Sequence, residues 1–131
     1  MTTFVDTSAL YALLDRSDPD HERVARIFPD LLGGDPLVTH SYVLVEATAL
    51  VQRRLGIAAV RDLTGALLSA VETKWVDREL HDAALGALLA AGRRGVSLVD
   101  WTSFEMMRRL GIERAFALDV DFERQGFAVV P

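Results

Sequence analysis

Thr3-Phe4-Val5-Asp6-Thr7-Ser8-Ala9-Leu10-Tyr11-Ala12-Leu13-Leu14 runs from a short β-type segment, through an acid and two hydroxyls, into an apolar stretch with helical spacing. Short strand-like runs alternate with longer helical patterns along the rest of the chain, which is the sign of a parallel sheet covered by helices on both faces. Candidate strands are Thr3–Val5, Leu37–Thr39, Trp75–Val76, Ser97–Val99, Ala115–Leu118 and Ala128–Val130. Helices are expected over Ser8–Leu14, Asp20–Leu32, Ser41–Leu55, Ala58–Val71, Arg78–Ala91 and Ser103–Leu110, with a short turn after Asp119. The fold class is therefore α/β, a three-layer α/β/α sandwich around a mostly parallel central sheet. Gly56, Gly92, Gly95 and Gly111 fall where helix C-terminal caps belong. Gly65 and Gly86 lie inside helical patterns and point to close helix packing.

A chain of 131 residues that is 50% hydrophobic holds one good core and is too short for two ordinary domains, so residues 1–131 are expected to form a single domain. Its longest apolar stretches fall short of the roughly 18 residues of a membrane span. Met1 to Asp6 has no basic start and reaches an acid at once, unlike a signal peptide. A soluble, cytoplasmic protein with no membrane contact is expected. With no cysteine, thiolate nucleophiles, disulfides and cysteine-ligated metals are excluded. A net charge of -5 argues against coating nucleic acid by bulk electrostatics, but not against a nuclease whose acidic centre is rimmed by cations. Lys74 is the sole lysine among those cations; the others are arginines, which suit bidentate contact with phosphate.

Four acids sit inside or just past apolar runs: Asp6, Glu46, Asp100 and Asp119. In an open parallel sheet, ligands collect outside the carboxyl ends of the strands. Asp6, Asp100 and Asp119 each follow a candidate strand and so belong to that edge. Glu46 has Tyr42, Val43, Ala49 and Leu50 as helical neighbours, which puts a glutamate in an apolar stripe where it needs a partner. Gathered carboxylates repel one another, and a hard cation such as Mg²⁺ or Mn²⁺ relieves the repulsion. Asp6 and Asp119 are equally well placed to act as helix N-caps. Asp100 is free of that duty if Thr102 and Glu105 form the capping box of the next helix. Asp121 is read as an auxiliary acid. Ser8 and Ser103 are positioned to steady a ligand carboxylate or meet a phosphate oxygen, although such hydroxyls more often only cap helices. A hard-metal site with no nucleophile pair points to hydrolysis by metal-activated water.

These segments resemble the PIN-domain family, and within it the VapC-type ribonuclease toxins of bacterial type II toxin–antitoxin pairs. Val5-Asp6-Thr7-Ser8-Ala9-Leu10 looks like the family's opening motif, and Glu46 within its helix like the second acid. Val99-Asp100-Trp101-Thr102-Ser103-Phe104 resembles the third motif, and Ala115-Phe116-Ala117-Leu118-Asp119 followed by Phe122-Glu123-Arg124-Gln125-Gly126-Phe127 resembles the closing one. The resemblance implies a Mg²⁺- or Mn²⁺-dependent endoribonuclease that cuts structured RNA such as tRNA or rRNA, with Asp6, Glu46, Asp100 and Asp119 as catalytic metal ligands. It also implies a homodimer and a cognate antitoxin. An acid at Asp121 departs from the basic or histidine residue that many relatives carry near that position.

Arg53 lies seven residues beyond Glu46 on about the same helix face and is the candidate RNA contact beside the site; Arg93-Arg94 and Arg108-Arg109 are read as favourable charge at helix C-termini. Trp101 serves as a base-stacking or core residue. His21, His40 and His81 share no metal-ligand spacing and are expected at the surface or as caps, and no glycine pattern for a nucleotide cofactor occurs. Two rival functions stand beside the nuclease. A metal-binding phosphoacceptor module would want a paired acid after the first strand and a lysine after a late one, and neither is present. A catalytically idle RNA- or protein-binding module would not need the full acid set.

Overall fold

The computed structural model describes residues 1–131. Five strands form one all-parallel sheet: β1 (Thr3–Val5), β2 (Leu37–His40), β3 (Glu72–Lys74), β4 (Arg114–Phe116) and β5 (Ala128–Val130), in the order β3-β2-β1-β4-β5. Seven helices connect them: α1 (Thr7–Leu14), α2 (His21–Leu32), α3 (Ser41–Leu55), α4 (Ile57–Asp62), α5 (Arg78–Ala91), α6 (Leu98–Leu110) and α7 (Asp121–Arg124).

Adjacent residues of a strand point to opposite faces, and partners in parallel register point to the same one. Val5 is in register with Phe116, which stacks on Phe28 of α2 at 6.1 Å between centroids. Phe4 turns the other way, stacking on Phe122 of α7 at 5.9 Å, and Phe122 meets Phe104 of α6 edge-on at 5.0 Å. The sheet is thus sandwiched between α2 on one side and α6 and α7 on the other, giving the three layers expected. Phe4, Phe104, Phe116 and Phe122 are fully buried in one continuous apolar core. No helix is long and apolar enough to cross a membrane.

Several expected elements are displaced. Ser97–Val99 is not a strand: Ser97 caps α6, its hydroxyl accepting the N–H of Asp100 while the Asp100 carboxylate accepts the N–H of Ser97. A reciprocal capping box of this kind outweighs the β preference of Leu98 and Val99. The box predicted at Thr102 and Glu105 is absent, because the Thr102 hydroxyl bonds back to the carbonyl of Leu98 at 2.8 Å. The third strand lies at Glu72–Lys74, just before the predicted Trp75–Val76, with Glu72 and Lys74 exposed as befits an edge strand. The helix predicted over Ala58–Val71 breaks after Asp62 into a π turn (Leu63–Leu67) and a 3₁₀ turn (Leu68–Ala70). Gly65 sits in that π turn, and Thr64 bonds the Val60 carbonyl at 2.6 Å, both unfavourable to a regular helix. A methyl group added at Gly65 or Gly86 would meet nothing within 4 Å, so neither marks close packing. Gly92 and Gly111 do close helices, in the left-handed conformation at φ 64° and 68°, whereas Gly95 lies in the turn before Ser97.

Candidate metal centre

The strand order reverses between β1 and β4, and it is outside the carboxyl ends of such a pair that open parallel sheets bind ligands. Asp6 follows β1 directly and Asp119 lies just beyond β4. Asp6 is the N-cap of α1 and 4% exposed; its carboxylate accepts the Ser8 N–H at 3.2 Å and the Ser8 hydroxyl at 2.6 Å. Capping and site membership are therefore compatible, since one carboxylate oxygen takes both Ser8 bonds. The Ser8 hydroxyl also accepts the Leu118 N–H at 2.9 Å, tying the start of α1 to the segment that leads into Asp119.

Asp100 arrives by a different route from the one its sequence suggests, as the third residue of α6 rather than at a strand end. Asp100, Asp119 and Asp121 each offer a carboxylate oxygen within 4.8 Å of the others. Asp121 is the most buried of the three, and its backbone N–H donates to Asp119 at 2.9 Å. Arg124 lies 3.4 Å from the Asp121 carboxylate, an exposed cation at the margin of the acids. Asp6 and Glu46 do not belong to this close triplet, but both are near enough for their charges to act on it. Burial is the main cause that pushes Asp6 up to about 7, opposed by the Ser8 hydrogen bonds and reinforced by the negative charges of Asp100 and Glu46. Burial likewise raises Asp100, with Asp119 and Glu46 adding repulsion, and raises Asp119, beside Asp121. Acids that resist ionisation for want of a counter-charge are what a cation would stabilise.

Glu46 is half-buried on α3 and lines, with Tyr42, Val45, Leu98 and Val99, an apolar groove of about 400 Å³ beside the acids. A cavity of about 450 Å³ around Met107, Ile112 and Phe127 lies at the opposite edge, near the starts of β4 and β5, away from the carboxylates.

Among the other expected residues, Ser103 is fully buried and donates its hydroxyl to the Val99 carbonyl at 3.0 Å, so it neither meets a phosphate oxygen nor bonds a carboxylate of the site. Arg53 is exposed in the last turn of α3. Arg108 and Arg109 do occupy the last turn of α6, where the first binds Gln125 and the second lies 3.8 Å from Glu79. Trp101 is a core residue, packed edge-on against Phe104 at 5.5 Å. His40 is not at the surface: it is fully buried and caps α3. Its neighbour Ser41, the conventional capping residue type, instead accepts the Val76 N–H at 2.9 Å.

The family model of the PIN domain matches residues 3–128, a span that contains every one of these acids. The chain belongs to the PIN domain family. Within that family it groups with the VapC ribonucleases: it is 37% identical over 129 residues, 97% of this chain and 96% of the relative, to VapC20 of Mycobacterium tuberculosis, described as a 23S rRNA-specific endonuclease. Ribonuclease VapC26 of the same organism is 28% identical over 127 residues, covering 82% of this chain and 93% of that protein. The crystal structure of VapC20, described as a sarcin–ricin loop cleaving toxin, superposes with a TM-score of 0.87 at 34% identity over 100% of both chains. A VapBC2 structure from Rickettsia felis shares the fold, with a TM-score of 0.73 at 12% identity over 98% of this chain and 97% of the other.

Proposed function

We propose that this PIN domain is a divalent-metal-dependent endoribonuclease that cuts structured cellular RNA, of the ribosomal or transfer class, as the toxin of a toxin–antitoxin pair. The observation that supports this best is the cluster of Asp100, Asp119 and Asp121 at the β1/β4 reversal, with Asp6 and Glu46 close enough to repel it.

The donor set fits a hard cation: it is all carboxylate oxygen, strongly anionic, and short of positive charge to balance it. Asp6, Glu46, Asp100 and Asp119 would hold Mg²⁺ or Mn²⁺, with Asp121 auxiliary to them. An ion there supplies a Lewis acid that makes water a better nucleophile and neutralises charge on the leaving oxygen. The chain's own part is to aim the carboxylates and to offset some of the burial penalty on their charged forms. Ser8 donates to Asp6, the Asp121 N–H to Asp119 and the Ser97 N–H to Asp100, each bond favouring the charged form. Arg124, and Arg53 farther along α3, would meet the phosphates of the incoming strand.

VapC20's description makes ribosomal RNA the first substrate to try. A cytoplasmic homodimer silenced by a cognate antitoxin completes the proposal.

The test is to incubate partner-free protein with total RNA in Mg²⁺ or Mn²⁺, beside an EDTA control and Asp100→Asn. Discrete fragments that disappear in both controls are expected. Persistent cleavage in EDTA, or none with metal present, would overturn the proposal.

A further inference from the structure

We propose that His40 is a positioning residue of this carboxylate site, tying the helix that carries Glu46 to the helix that carries Asp100 through a hydrogen bond at each ring nitrogen. The inference rests on the proposed metal-dependent activity and deepens it. His40 ends β2 and immediately precedes α3, with no exposed surface. Its Nδ1 accepts the N–H groups of Tyr42 and Val43 at 3.2 and 3.3 Å, at the start of the helix on which Glu46 lies. Its Nε2 lies 2.9 Å from the hydroxyl of Ser103 on α6, one turn beyond Asp100 and on the same side of that helix.

The direction of every bond in this chain follows. Two N–H donors converge on Nδ1, so that nitrogen is unprotonated and the ring proton sits on Nε2, which donates to Ser103. Ser103 then spends its own proton on the Val99 carbonyl at 3.0 Å. Burial lowers the His40 pKa to about 4, which keeps the ring in this neutral form. Phe4, stacked at 5.6 Å, and Tyr42, edge-on at 6.0 Å, fix the ring plane.

Capping alone does not explain a histidine at this position. Asn, Asp, Ser or Thr would satisfy the first turn of α3 as well or better; none of them also reaches Ser103. The arrangement parallels the one Ser8 makes on the other side of the site, where a hydroxyl joins Asp6 to the segment before Asp119. Ser8 bonds Asp6 itself, whereas the His40–Ser103 pair joins the two helices on which Glu46 and Asp100 lie. Neither His40 nor Ser103 bonds an acid, so the link acts by placing the two helices that carry them, and a misplacement of about 1 Å far from the chemistry can cost about 100-fold in rate.

Two substitutions at His40 separate the link from the cap. His40→Asn keeps an acceptor near Nδ1 and cannot reach Ser103; His40→Gln keeps a donor toward Ser103 and loses the cap. Ser103→Ala cuts the link from its far end and leaves the cap intact. Each variant is titrated with Mn²⁺ and assayed for kcat and KM on RNA, well below its own Tm. His40→Asn and Ser103→Ala should both weaken Mn²⁺ binding and lower kcat by about tenfold or more, with KM for RNA little changed. His40→Gln should bind Mn²⁺ more tightly than His40→Asn despite its poorer cap. The reverse order, or Mn²⁺ affinity unchanged in Ser103→Ala, would reduce His40 to an ordinary helix cap; Ser103→Ala decides alone if the His40 variants do not fold. Metal affinities that follow the predicted order while the unaltered protein cuts no RNA would remove the nuclease and keep the positioning role.

Discussion

The hydroxyl of Ser8 donates to the carboxylate of Asp6 at 2.6 Å while accepting the N–H of Leu118 at 2.9 Å, so one side chain fixes two neighbouring strand ends of the sheet. A hydroxyl has one proton to give and lone pairs to receive with, and both capacities are used. Asp6 is thereby held beside the segment that delivers Asp119, although the two acids lie far apart in the chain.

Ser8→Ala should therefore cost about 1 kcal/mol of stability and, more tellingly, alter the site. The Ser8 bonds pull the Asp6 pKa down against burial. Without the hydroxyl, Asp6 ionises at higher pH and competes less well for metal. The acid limb of the pH–rate profile should move to higher pH, as measured by RNA cleavage from pH 5.5 to 8.5 at fixed Mn²⁺. An unmoved limb would separate Ser8 from the acid it touches.

Metal-free stability should depend on pH with a sign unusual for carboxylates. Burial pushes Asp6 up to about 7 in the fold against 3.8 for a free carboxyl, so over that interval the folded state holds more protons and Asp6 contributes less stability as pH rises. His40 does the opposite: its pKa falls from 6.5 to about 4, which adds stability as pH rises across that range. Above 6.5 most of the histidine contribution is already present and the Asp6 loss outweighs what remains. In EDTA, Tm should fall between pH 6.5 and 7.5, and Asp6→Asn should flatten that decline. Mn²⁺ should raise Tm most at the upper end of the range. A metal-free Tm that climbs through this window would contradict the assignment.

Asp100→Asn and Asp121→Asn should differ in kind. An amide oxygen at position 100 still accepts the Ser97 N–H, so the capping box and the fold survive while a charged donor is lost. Cleavage should drop by about a hundredfold or more, on the order of 3 kcal/mol in the barrier, with Tm little changed or raised as repulsion is relieved. Asp121→Asn removes an auxiliary donor and the ion pair with Arg124; about a tenfold weakening of Mn²⁺ binding is expected, with residual turnover at high metal. Equal loss in both variants would make Asp121 a full ligand.

The parts of this candidate site that the sequence exposes are those where an acid stands out against its immediate neighbours. Asp6 and Asp119 could be seen because an acid just past an apolar strand is conspicuous. Glu46 could be seen because a glutamate among Tyr42, Val43 and Leu50 needs a reason. Asp100 was visible as an acid but its setting was not, since Leu98 and Val99 suit a strand until the Ser97–Asp100 pairing is known. Strand β3 is short, polar and at the sheet edge, and so carries no periodic signal. The capping role open to His40 is found, but its bond to Ser103, on another helix, is not legible in the sequence. Long-range pairs such as His40 with Ser103 leave no trace in local spacing.

If these carboxylates form one cation site, calorimetric titration of metal-free protein with Mn²⁺ at pH 7, run in two buffers of different ionisation enthalpy, will register it. Asp6, raised to about 7, is partly protonated there, so binding should release protons and the apparent enthalpy should differ between the buffers. Asp100→Asn should bind at least about tenfold more weakly. No binding, binding without proton release, or equal affinity in Asp100→Asn would contradict the account.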